Sequence, residues 1–265
     1  MSRRLSFLGV VLGLAFAATA AAAKDSSDTF HWSGKLSAGQ TVTIRNINGD
    51  VRAETGSGDQ VEVTAEKSGV NADEVQIKAV TTADGVSICA IYPSDNAGEA
   101  SCGQHEWHSH NHWSGHARVD FTVRLPRDLH FNAATVNGDI EASELGRSAD
   151  LTTVNGKVQV STAEWAEVRT VNGSIYADFR SSGWADSLKL ETVNGSVELT
   201  APAALNADVE FNTLNGHVSS DFAYTVTSGT RIGHPGPTRI SARFGDGGRE
   251  LRISTVNGNI EIRKR

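Results

Sequence analysis

The residues best suited to chemistry crowd into one stretch, CGQHEWHSHNHWSGH (102–116). It holds five of the nine histidines, His105, His108, His110, His112 and His116, together with Trp107 and Trp113. Neutral imidazoles ligate Zn²⁺, Cu²⁺ and Ni²⁺. In an extended tract His108, His110 and His112 point the same way, and a curl adds His105 or His116. One reading of the tract is therefore a Zn or Cu site, the one cofactor the sequence suggests. The other is a polar insertion between strands. The helical metalloprotease pattern H-E-x-x-H is not met, because Ser109 stands where its second His belongs. Trp107 and Trp113 either stack on a sugar or partner surface or pack the tract back onto its own sheet.

The only two cysteines are Cys89 and Cys102. An even pair in an exported chain reads as a disulfide. Export is what the N-terminus predicts. Arg3 and Arg4 precede LSFLGVVLGLAFA (5–17), and a small-residue site ends at Ala23. That is the layout of a secretory signal peptide over residues 1–23, too short in its apolar part to span a bilayer comfortably. No later run is apolar enough to cross one. The formal charge of −7 becomes more acidic once the leader's two arginines are removed. Such a surface repels phosphate backbones, so nucleic acid is excluded as a partner class.

The elements that must position these residues announce themselves by repetition. Asn-Gly recurs at Asn48, Asn137, Asn155, Asn172, Asn194, Asn215 and Asn257, usually as Thr-Val-Asn-Gly. From Asn137 onward the copies return about every 20 residues, and the final gap is twice as long. Such a period marks a repeat architecture whose units cannot bury a core alone. The doubled last gap suggests a degenerate unit around Gly236. On both sides of each Asn-Gly, apolar and polar residues alternate, as in Leu188-Lys189-Leu190 and Val197-Glu198-Leu199, so both flanks are half-buried strands.

Two folds can hold these strands. Asn-Gly as a type I′ turn gives an antiparallel meander of hairpins. That arrangement leaves the residue before each Asn on the outer face, although it is always Ile, Val or Leu. Alternatively, each Thr-Val-Asn-Gly is a corner of a right-handed parallel β-solenoid built from short coils of one repeat each. A bend there would let the apolar residue before Asn reach the interior. Glycine would supply positive φ, and Asn137, Asn155, Asn172, Asn194, Asn215 and Asn257 would stack as an amide ladder. The all-β solenoid is the expected fold, with SSGWAD (181–186) absorbing variation in coil length. The domain plan is leader 1–23, a strand region 24–130 carrying the His tract, and the repeat solenoid 131–265, continuous with what precedes it. The terminal RKR (263–265) reads as charged protection of an edge.

A leader, a β-rich first half, RLPRDL (124–129) and serial TVNG units resemble the bacterial β-strand-repeat family labelled "putative adhesin", a domain of unknown function. The similarity covers about residues 28–265. It implies a β-solenoid in the cell envelope, and it brings no catalytic residues. Enzyme signatures such as G-x-S-x-G, a P-loop or a strand-linked G-x-G-x-x-G are absent, and GDGGRE (245–250) reads as a turn. The expected function is a non-catalytic, adhesin-like scaffold in the periplasm, at the cell surface or secreted, holding an envelope protein or glycan. Metal binding or buffering by the His tract is the alternative. A polysaccharide-active β-helix enzyme is weaker, because the residue after each Asn-Gly changes from Asp139 to Lys157, Ser174, Ser196, His217 and Asn259.

Overall fold

A computed structural model describes residues 29–93, 102, 116–184, 187–231 and 238–265. Residues 1–28, with the stretch expected to be a leader, and most of the His tract lie outside the described residues. The first half supplies β1 (Thr29–Gly34), β2 (Thr41–Arg45), β3 (Val51–Thr55), β4 (Val61–Ser68), β5 (Gln76–Thr82) and β6 (Gly85–Ile91). Next come β7 (Arg118–Leu125), β8 (His130–Ala134), β9 (Ile140–Leu145), β10 (Ala149–Thr152), β11 (Val158–Thr162), β12 (Ala166–Arg169), β13 (Ile175–Phe179), β14 (Leu188–Glu191) and β15 (Val197–Ala201). The last six are β16 (Ala207–Asn215), β17 (Val218–Ser220), β18 (Tyr224–Arg231), β19 (Thr238–Phe244), β20 (Arg249–Asn257) and β21 (Ile260–Lys264).

These strands form two sheets facing one core. The first runs β1-β4-β7-β3-β9-β11-β13-β15-β21-β17 and the second β18-β19-β16-β20-β14-β12-β10-β8-β2-β6-β5. From β7 to β17 and from β6 to β16 every neighbour is parallel. Antiparallel strands flank the stack, with β1, β4 and β5 at one end and β18 and β19 at the other. The alternation seen in the sequence is the burial pattern itself. Leu188, Leu190, Val197 and Leu199 point inward and are at most 1 % exposed, whereas their polar neighbours face outward. The fold is thus the parallel solenoid, and the hairpin meander is ruled out by the parallel pairing.

Each letter of Thr-Val-Asn-Gly has its own role at the corner between the sheets. The threonines are buried and donate to the glycine carbonyl of the neighbouring layer: Thr153 Oγ1 to Gly138 O at 3.0 Å, Thr170 to Gly156 O at 3.0 Å and Thr192 to Gly173 O at 2.8 Å. The asparagines form the ladder. Asn137 Nδ2 donates to Asn48 Oδ1, Asn155 to Asn137, Asn172 to Asn155, Asn194 to Asn172, Asn257 to Asn194 and Asn215 to Asn257, all at 2.7–2.8 Å.

Two expectations about the corner are corrected. Beyond the first two layers, where Ile47 and Val136 are half-buried, the apolar residue before Asn does not reach the interior. Val154, Val171, Val193, Leu214 and Val256 are 36–47 % exposed, because the corner turns its threonine inward instead. Nor do most corner glycines need positive φ, which only Gly49 adopts, at 128°. They are required because layers touch backbone to backbone. A Cβ on Gly138, Gly156, Gly195 or Gly258 would sit 2.0 Å from the carbonyl oxygen of the next corner glycine, and on Gly173 1.9 Å.

The order of the last layers also differs from the linear expectation. Asn194 bridges to Asn257, and Asn215 pairs beyond it. The doubled spacing is no degenerate coil. After β17 the chain leaves the stack as the antiparallel strands β18 and β19, then returns to place β20 and β21 between the layers already formed by β14–β15 and β16–β17. Gly236 itself lies outside the described residues. SSGWAD carries Trp184, which is 2 % exposed and donates from Nε1 to Glu250 O at 2.9 Å, so this residue plugs the stack next to the inserted layer.

Gly173→Ala should be the costliest of three changes at one corner, lowering unfolding free energy by about 2–4 kcal/mol because backbone must move on both sides. Thr170→Val should cost about 1–2 kcal/mol by leaving a buried carbonyl unpaired. The exposed Asn172→Ala should cost about 1 kcal/mol. Denaturant melts of the three variants test this ranking, and a Gly173→Ala protein as stable as the parent would refute the backbone-contact account.

Candidate interaction surface

The His tract interrupts the stack at one definite place. β6 pairs with β2 and β7 with β3, so the chain between β6 and β7 takes the place of the corner that in the next layer is Asn46–Asp50. At its start stands Tyr92, whose hydroxyl donates its proton to Asn48 O at 2.9 Å, while Asn46 Oδ1 stands at 3.1 Å. The Tyr92 hydroxyl oxygen in turn accepts from Asn48 N–H at 3.2 Å. Burial, reinforced by the charge of Asp120, pushes this hydroxyl up to about 12, so it stays protonated as the plug at the head of the ladder.

One residue of the tract is fixed covalently. Cys102 is bonded to Cys89, with Cα atoms 5.7 Å apart. Cys89 pairs with the partly exposed Arg45 on the outward face of the second sheet, so the disulfide holds Cys102 against that face. Closing a loop of 13 residues is worth about 3 kcal/mol. His116 is described and exposed; His105, His108, His110 and His112, with Trp107 and Trp113, lie outside the described residues. Among the described residues no group of three or more His, Cys, Asp or Glu is placed to hold a metal ion.

Asn46 replaces threonine in the first of the Asn-Gly layers, and its reason is visible. It is fully buried, and its Nδ2 spans to Gly49 O at 3.2 Å and Val119 O at 2.8 Å. The position two residues after each Asn forms another column. Asp50 Oδ1 accepts from Asp139 N–H at 2.9 Å, Asp139 Oδ1 from Lys157 N–H at 2.9 Å, and Ser174 Oγ from Ser196 N–H at 3.1 Å. This explains why short acceptors recur there without being identical: the column serves the backbone. Arg118 Nη2 reaches Asp50 at 2.8 Å and Asp120 at 2.9 Å, which neutralises the crowded carboxylates at the head of the stack.

The outer face of the first sheet carries a concavity of about 300 Å³ over β9, β11, β13 and β15. Gln159, Tyr176 and Glu198 stand in register as one row, and Ser161, Asp178 and Thr200 as the next. Tyr176 is 44 % exposed. The charged groups at the trough's rim are already engaged: Arg263 Nη1 holds Glu198 Oε1 at 3.0 Å, and Arg265 pairs with Asp178. Nothing in the sequence marks this surface, because Tyr176 is one aromatic in an outward strand position and only the stacking brings its row together.

A family model described as Toastrack DUF4097 matches residues 114–263, more than half of the 265. Its span takes in β7 to β20 and most of β21, and leaves out β1 to β6 and most of the insert. No curated protein matches the chain. A solved structure of a putative cell adhesion protein from Clostridium sporogenes is 12 % identical, with 89 % of this chain and 100 % of that one covered at a TM-score of 0.47. A putative adhesin from Bacteroides fragilis is 7 % identical, with 89 % and 97 % covered at a TM-score of 0.36.

The head of the stack has a testable pH signature. Burial pushes the Asp50 carboxyl up, but the Asp139 N–H and the hydrogen bond and charge of Arg118, with Arg52, hold it below the usual carboxylate range. The unfolded chain, with an Asp pKa of about 3.9, then binds more protons than the folded one in acid. The stabilisation is complete above about pH 4–5 and is lost as pH falls through the lowered native value. Asp50→Asn keeps an acceptor for Asp139 N–H but removes the charge. Acid titrations of stability should show a shallower loss below pH ~4 in this variant, and identical curves would remove Asp50 from the acid response.

Proposed function

Since the chain belongs to the Toastrack DUF4097 family, we propose that it is an exported, non-catalytic scaffold of the cell envelope, adhesin-like in holding a partner against its solenoid surface. The single observation that carries this is the in-register stack of seven Asn-Gly layers, which fixes outward side chains in straight rows on two opposed faces. A surface so positioned offers many weak contacts at fixed spacing and loses little freedom on binding. Residues 1–23 as a leader support export, and no helix among the described residues is long and apolar enough to cross a membrane. The partner is an envelope protein or glycan.

Immobilised protein exposed to solubilised envelope fractions should retain a specific component, and deletion of residues 104–116 should leave retention intact because the contact lies on the layered face. Retention no greater than that of an unrelated β-sandwich of equal charge would sink the reading. Loss of retention on deletion would move the contact to the insert.

A second reading is favoured by the two ends of the His tract: Cys102 is bonded to Cys89, and the described chain resumes at His116 and the buried Ala117. Here the tract takes up Zn²⁺ or Cu²⁺ through His105, His108, His110, His112 and His116. Ligation needs neutral imidazole, so affinity should fall as pH drops through about 6.5. Calorimetric titration should give heat with the parent and none with His108, His110 and His112 all changed to Ala, with β-type circular dichroism unchanged. Equal heats in both proteins would reject the site.

A further inference from the structure

We infer that the trough centred on Tyr176 is a subsite for a neutral saccharide. The inference rests on the scaffold reading and names the class of ligand the layered face would hold. Its basis is the division of labour across the outer face of the first sheet. On either side the long side chains are committed to ion pairs, Arg124 with Glu54 at 2.8 Å toward the head and Arg263 with Glu261 at 3.0 Å toward the tail. Between them the trough is lined by the uncharged Ser143, Gln159, Ser161 and Thr200, and its two carboxylates, Asp178 and Glu198, are held by Arg265 and Arg263.

Within this trough the Tyr176 hydroxyl, the Gln159 amide and the hydroxyls of Ser143 and Thr200 have no hydrogen-bond partner among the described residues. An exposed ring bordered by unengaged donors and acceptors matches a pyranose, which has an apolar C–H face and a rim of hydroxyls. Charge selects further. An anionic ligand would meet Asp178 and Glu198, and a cationic one would have to displace Arg265 and Arg263 from them. A neutral sugar does neither, and it can still donate to the remaining lone pairs of both carboxylates. Layers repeat at about 4.8 Å along the row from Gln159 through Tyr176 to Glu198, close to the length of one ring, so a linear chain can lie along the stack.

The test screens the purified protein against neutral oligosaccharides built from glucose, N-acetylglucosamine, galactose and mannose, with tetragalacturonate as the acidic control, by ligand-observed NMR and then by titration. At least one neutral probe should bind and the acidic control should not. Tyr176→Ala should weaken that binding about tenfold, the worth of one ring contact, and Tyr176→Phe should retain it. Both variants should melt with the parent, since the ring is exposed. Silence across the neutral panel, equal affinity in Tyr176→Ala, or tetragalacturonate binding as tightly as the best neutral probe overturns the subsite. The same preparations applied to envelope fractions separate the two ideas: retention without any neutral-glycan binding overturns the subsite and spares the scaffold, and neither activity overturns both.

Discussion

The structure depends on backbone contact between layers at the Asn-Gly corners. Each corner glycine after Gly49 presents its hydrogen where a Cβ would fall about 2 Å from the carbonyl of the glycine in the next layer, and Gly49 meets Val119 O in the same way. That contact sets the register. Once successive glycines are stacked, the threonine hydroxyl before them reaches the neighbouring glycine carbonyl, the amides meet end to end, and the strands on either side are aligned for parallel pairing. None of these interactions is large by itself, at about 1 kcal/mol for a hydrogen bond. Repeated through the stack in one phase, they specify a single alignment, because a slip by one residue would put every inward side chain on the outside.

Fixing one edge frees the other. Coils vary in length, and the variation is taken up away from the Asn-Gly edge, in turns such as the one that begins at Ser181 and carries Trp184. The same freedom permits the order of the final layers. Because every corner makes the same contacts, the layer of β20 and β21 fits between Asn194 and Asn215 as well as beyond them, and Trp184 closes over it through Glu250 O. The excursion through β18 and β19 then lies across the end of the stack, where Tyr224 stacks on Phe244 with ring centroids 5.3 Å apart, and Phe222 meets Phe244 edge-on. These rings cover an end that would otherwise expose core, the task expected of a terminal cap.

Periodicity makes the solenoid readable from the chain alone, since alternation around each Asn-Gly is the direct image of burial. What it cannot reveal is which of two apolar-compatible bends the corner adopts. Val154 and Val171 suit an interior because they are apolar, yet a buried threonine with a backbone partner serves as well as a valine, and side-chain identity does not report that partner. In sequence the glycine requirement looks like a matter of dihedral angle, whereas it comes from the neighbouring layer, a whole coil away along the chain. The order of the last layers is hidden for the same reason: identical corners carry no label for their place in the stack. The Cys89–Cys102 pair is legible because it is alone. Tyr176 is not, because its neighbours Gln159 and Glu198 are each a coil away.

Regularity of this kind limits where recognition can reside. Much of the outer surface is used by the stack itself: the asparagines by their ladder, Asp50, Asp139 and Ser174 of the column after Asn-Gly by backbone N–H groups, and several arginines by nearby carboxylates. A surface whose polar groups already satisfy one another has little to offer a ligand, since binding would exchange one set of hydrogen bonds for another at no net gain. Selectivity must come from positions where the repeat is broken. One is the corner between β6 and β7, where the insert stands in place of the Asn-Gly turn and Cys102 is tied to the outward face. The other is the row where Tyr176 replaces the charged residues found at Glu141, Glu198 and Glu261, leaving hydroxyls and an amide uncommitted. The repeat provides the rigid frame, and its departures provide the chemistry.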